Sequence, residues 1–220
     1  MEPVSPITTL SAREQQHMLL LFMPMKKLGG AKALQTVSDL QLKLTENAKD
    51  NRAATGVHFS MFYYLPSGTT PKLPVPSFQT AEGKDLLVVQ ALYDADFKPY
   101  IDSFVNDPDI AGGLNSILEH MDESGIVKDT DPTSAKYIIE NGKVEENPNE
   151  FYCLLMRYNF ADPTIPAAAK ITSFNKYLLT HTFPGLTIEK ILDNYPDARE
   201  LWPSKAPAIK FAESKKPVCK

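Results

Sequence analysis

No stretch of this chain is long and apolar enough to cross a membrane as a helix. The longest apolar run, Met18 to Met25, is far short of the ~20 residues a span requires. Charge of one sign is scarce too: a net charge of −4 gives no broad field for nucleic acid or an anionic lipid surface. Cysteine is limited to Cys153 and Cys219, too few for a disulfide scaffold. Cys153 lies in an apolar run and reads as core, and Cys219 lies in a polar tail. The opening "MEPVSPITTLSAREQQ" lacks a basic start followed by an apolar core, so no secretion signal is expected and a reducing, cytoplasmic setting is. Reaction signatures are missing as well. There is no G-x-G-x-x-G, Walker loop, H-E-x-x-H, C-x-x-C or G-x-S-x-G, and only four histidines occur. No metal site is expected.

What remains is an ordinary globular composition, 43% hydrophobic and 23% charged over 220 residues, which excludes disorder as the main state. Residues 1–15 read as a flexible lead-in. "HMLLLFM", 17–23, is too brief for a helix and reads as a buried strand closed by Pro24. After Gly29-Gly30, Leu34, Val37, Leu40, Leu44 and Ala48 form one helical stripe. "VHFSMFYYL", 57–65, is a strand between Gly56 and Pro66. The proline- and glycine-rich residues 66–83 predict a long loop. "KDLLVVQALYDADFKPYIDSF" then changes period, from a strand over 85–93 to a helix that starts near Asp94 to Asp96 and carries Phe97, Ile101 and Phe104. "IAGGLNSILEHMDES" predicts a further helix. Asn141-Gly142 predicts a hairpin within an insertion over 128–150, and "FYCLLMRY", 151–158, predicts a fourth strand. "AAAKITSFNKYLLTHTF" and "TIEKILDNY" have helical spacing.

The expected order is βαββαβ, an α+β fold with a ferredoxin-like sheet over residues 16–160. C-terminal helices and a tail, 161–220, are expected to pack on the same domain. The strands are apolar on both parities, as in Leu86, Val88 and Leu92 against Leu87, Val89 and Ala91. A sheet with one wet face would alternate, and leaving each such side chain wet forgoes roughly 1.5–3 kcal/mol. Something is therefore expected to cover the second face. A second copy of the chain is the favoured cover, making a homodimer, and the C-terminal helices are the other.

Four segments resemble a family of α+β proteins with ferredoxin-like halves, of the dimeric α+β barrel type. They are the strand Leu86 to Leu92, the turn Tyr93-Asp94, the helix Tyr100 to Phe104, and Gly113 to His120, with "GVHFSMFYYL" resembling the first-half strand. The likeness covers roughly 55–125. Met61 stands where the family pattern has arginine, and "MDESG" replaces an aromatic, proline-bearing turn. The resemblance implies the fold and the dimer, and no settled reaction. Dimeric α+β barrels include haem-handling peroxidases, monooxygenases and cyclases.

For chemistry, His58 stands out because it lies in a strand expected to be buried. It reads either as an acid/base or haem ligand or as a strand-end histidine bonded to backbone. Tyr64 and Arg157 complete a candidate catalytic set, and Phe62, Tyr93, Tyr152 and Tyr158 a candidate lining for a flat apolar ligand. The bland reading makes these tyrosines core residues with hydroxyls at the rim. Two functions follow: a small enzyme or enzyme-like protein holding an apolar or aromatic molecule between sheet and helices, with haem as a candidate cofactor, or a non-catalytic module whose sheet is a dimer interface.

Overall fold

The computed structural model describes residues 16–46, 56–67, 84–94, 96–161, 186–195, 197 and 215–219. The expected lead-in 1–15, most of the loop expected over 66–83 and the helix expected around 167–183 lie outside them. The described chain is α+β. Its three-stranded antiparallel sheet has the order β1-β3-β2, with β1 at Gln16–Met25, β2 at Val57–Leu65 and β3 at Asp85–Asp94. Both outer strands run antiparallel to β3 and so parallel to each other. With helix α1, Gly29–Glu46, between them, they form a split β-α-β unit.

Helices α2, Phe97–Val105, and α3, Pro108–Glu119, follow β3. Asp107 caps α3 by accepting from the amides of Asp109 and Ile110, ahead of Pro108 in the first turn. Asp96 occupies the N-cap of α2 without a capping bond from its side chain, and faces Lys216 at 3.5 Å instead. The close pass of α1 over β2 requires glycine at position 30, because a Cβ there would lie 2.4 Å from Cδ2 of Tyr64.

Two expected elements are different. Residues 151–158 are no strand: they belong to helix α6, Pro148–Tyr158. Its buried residues, Phe151 to Leu155 and Tyr158, surround much of the helix because it packs against α2, α4 and β1. A short run buried all round has neither period, and the deciding signals were Pro148 at the start, Glu150 in the first turn and Arg157 in the last. The hairpin expected over 128–150 is likewise replaced by α4, Ala135–Glu140, and α5, Lys143–Glu146. Gly142, at φ 102°, spends its left-handed freedom on breaking one helix and starting the next. Helix α7, Ile188–Asn194, matches the helical spacing of "TIEKILDNY".

The helices cover one face of the sheet. Leu19, Leu21, Met23, Leu87, Ala91 and Tyr93 join α2, α3 and α6 in the main core. On the other face, Leu86 and Val88 are buried at 1% and 5% exposure, with Leu20, Phe22, Leu65 and Phe160 packed around them. The central strand, half-buried at Gln90 and Leu92, is therefore dry on both sides over its first half. The edge strand β2 is not: Phe59, Met61 and Tyr63 are 44%, 46% and 38% exposed. Where a fourth strand would flank β1 there is one bridge, Leu21 to Asn159, and the Phe160 amide donates to the Leu20 carbonyl at 2.7 Å.

The two cysteines, expected as separate thiols, are joined. Cys153 on α6 and Cys219 in the tail form a disulfide with Cα atoms 5.4 Å apart. No helix of the described residues is long and apolar enough to cross a membrane.

Candidate functional site

Between the sheet and the helices lies a cavity of about 140 Å³. Its floor includes Leu21, Phe62, Leu87 and Val89, and its roof Ile101, Leu114, Leu118 and Leu155. The strand period supplies the floor, since these β residues share one face. The i, i+3, i+4, i+7 spacing of Phe97, Tyr100, Ile101 and Phe104 brings one stripe of α2 down onto it. Polar hydroxyls at the cavity are few: Ser60 on β2 and Tyr100 on α2. Among the described residues, no lysine, arginine or histidine lines it. A small ring-shaped apolar molecule suits such a space, because an apolar cavity of roughly 150 Å³ stays dry and admits benzene.

The expected catalytic residues stand in three separate settings. His58 lies at a register shift between Val57 and Phe59, which turns its ring toward the end of β3. Its Nε2 donates to Asp94 Oδ1 at 2.7 Å, with Gln16 Nε2 3.2 Å from the same nitrogen. Asp94 Oδ2 accepts from the Ile188 amide at 2.7 Å, and Gln16 donates to the Leu186 carbonyl at 3.0 Å. This cluster fastens the start of α7 to one end of the sheet. His58 does not line the cavity. Beside it His17 packs on Tyr93, its buried Nε2 has no hydrogen-bond partner, and burial lowers its pKa.

Tyr64 donates to Asp85 Oδ2 at 2.9 Å. Asp85, 1% exposed, also accepts from the amides of Leu28 at 2.6 Å and Ser67 at 2.8 Å. Burial alone would raise the Asp85 pKa, yet these donors hold it below the usual carboxylate value. The group pins the turn into α1 against β3. Arg157 belongs to a third cluster with Glu123 and Thr133. The haem expectation finds no support in this arrangement: the His58 ring nitrogen is engaged by Asp94, and the cavity is ring-sized, not macrocycle-sized.

Of the expected ligand-binding residues, Phe62 lines the cavity. Tyr93 is stacked on Tyr100 with centroids 4.1 Å apart, and Tyr152 packs against Phe97 at 5.4 Å. Tyr158 donates to Glu123 Oε1 at 2.6 Å. Tyr100, which the sequence reading missed as a site residue, was signalled by its place on the Phe97–Phe104 stripe. Among the described residues no group of three or more histidine, cysteine, aspartate or glutamate side chains is arranged to hold a metal ion.

Comparison of the chain with protein families, with curated proteins and with solved structures finds no match.

Proposed function

We propose that the chain is a binding protein for a small apolar or aromatic molecule about the size of one six-membered ring, held between the sheet and helices α2, α3 and α6. The cavity carries this reading: its lining is largely aliphatic and comes from separate elements, and its volume of about 140 Å³ is what a benzene-sized ligand fills. No reaction is assigned, because His58, Tyr64 and Arg157 each satisfy a carboxylate elsewhere. Ala91, buried in the cavity floor, is the position to test. Benzene titrated into the protein should give saturable amide shifts at Leu21, Val89 and Leu118. Ala91→Leu places three more carbons in the cavity and should abolish those shifts while leaving the melting temperature within a few degrees. Unsaturable shifts in the wild type, or unchanged binding by the variant, would contradict the reading.

Beyond the α+β class, we infer a ferredoxin-like fold whose last strand is reduced to the single bridge at Asn159, in keeping with the resemblance over 55–125. A second reading, a homodimer formed on the far side of β2, is favoured by the exposure of Phe59, Met61 and Tyr63 along one edge strand. The strand carries no charged residue and no proline, so charge repulsion does not keep this edge from pairing. Sedimentation equilibrium should show a dimer that Met61→Lys converts to monomer. A wild type that stays monomeric at high micromolar concentration would remove this reading.

A further inference from the structure

The cavity is buried at one side and reaches the surface at the other. Residues paired across adjacent strands share a face of the sheet, so the floor can be followed in rows from β1 through β3 to β2. In one row Leu19 and Ala91 are 3% and 1% exposed. Ser60, which pairs with Ala91 from β2, is exposed. In the next row Leu21 is buried, whereas Val89 and Phe62 are half-buried. The roof divides in the same way. Phe151 and Leu155, from the helix that packs on β1, are buried, and Phe104 and Leu114 are half-buried. All of these residues line the cavity. It therefore opens beside β2, past Ser60, Phe62, Phe104 and Leu114, and ends blindly against β1 and α6.

The two ends differ in what they tolerate. At the blind end the side chains of Leu19, Leu21, Phe151 and Leu155 carry no donor or acceptor. A hydroxyl placed there loses its water and gains no partner, which is costly. At the rim the same hydroxyl stays in water beside the exposed Ser60 and loses little. We propose, resting on the cavity-binding reading, that the ligand is a single-headed amphiphile: one apolar ring or short alkyl body with one polar group at its end. The body lies toward β1, and the polar head sits at the β2 rim. Molecules that are polar at both ends are rejected by the blind end.

The test adds hydroxyls one at a time to a single frame: p-xylene, 4-methylbenzyl alcohol and 1,4-benzenedimethanol, each titrated into the full chain and followed by amide shifts. The first hydroxyl should change the affinity by no more than about threefold, because it remains in water. The second should weaken binding by roughly tenfold or more, because it must enter the blind end. Orientation gives an independent readout. In the complex with 4-methylbenzyl alcohol, nuclear Overhauser contacts should join the ring methyl to Leu19 and Leu155, and the carbinol CH2 to Leu114. Equal losses at both steps, no loss at either, or the reversed contacts would overturn the amphiphile, and p-xylene binding would leave the cavity reading standing. If p-xylene does not bind, both fall.

Discussion

Alanine at position 123 should lower the unfolding free energy by about 3 kcal/mol, read as a reduced midpoint in urea with an unchanged slope. Glu123 is 7% exposed and ties α6 to α4. Its Oε1 accepts from the Tyr158 hydroxyl at 2.6 Å and from Arg157 at 3.2 Å, and its Oε2 accepts the Ala135 amide that opens α4. Deleting the carboxylate leaves a fully buried phenol and a guanidinium without their acceptor, and stranded buried polar groups are what make such losses large. Arg157 keeps the Thr133 carbonyl at 3.1 Å, and its side chain is 22% exposed, so water offsets part of the loss. Glu123→Gln retains one acceptor oxygen and should cost about half as much. A loss below about 1 kcal/mol for the alanine variant would show that the network adds little to stability.

Cys219→Ser should cost about 2–4 kcal/mol, because the disulfide closes a long loop and removes chain entropy from the unfolded state. The link spans 66 residues of sequence. It ties an exposed tail to a helix otherwise buried against α2 and α4, and the remaining described anchor of that tail is the Lys216–Asp96 pair at 3.5 Å. Dithiothreitol should reproduce the loss in the wild type and leave the serine variant unchanged. A reductant-insensitive wild type would contradict this. The bond also sets a condition on location, since a glutathione-buffered cytoplasm opens most such links. There the tail would depend on the ion pair.

The elements that the sequence announced are those with clear boundaries. Gly56 and Pro66 bracket β2, Gly29-Gly30 open α1, and the change of period after Tyr93 divides β3 from α2. The central inference, that a strand apolar on both parities must be dry on both sides, holds for the first half of β3, where Leu86, Leu87 and Val88 are all buried, while Val89, Gln90 and Leu92 farther along are half-buried. It does not hold for β2, because a run of apolar residues cannot reveal that its strand lies at an edge. Helix α6 was hidden for a related reason: residues buried all round leave no amphipathic stripe, and eight apolar residues serve either conformation. Asn141-Gly142 was ambiguous because the same left-handed geometry serves a hairpin turn and a helix junction. The disulfide was invisible at its sequence separation.

The site was legible in place more than in membership. A space between sheet and helices followed from the patterning, and Phe62 lines it. Residue type drew attention to His58 and Arg157, whose partners Asp94 and Glu123 lie 36 and 34 positions away and cannot be paired with them by spacing. Tyr100 passed as one more apolar member of a stripe. Only the folded packing shows that its ring is enclosed by Tyr93, Phe97 and Phe104.

The most direct measurement is a crystal of the protein pressurised with xenon, which seeks dry apolar space regardless of any preference for a functional group. One xenon site should appear between the sheet and the helices, bounded by Leu21, Val89, Ile101 and Leu118. The contradicting result is a crystal in which these side chains close upon one another and no xenon density lies between them.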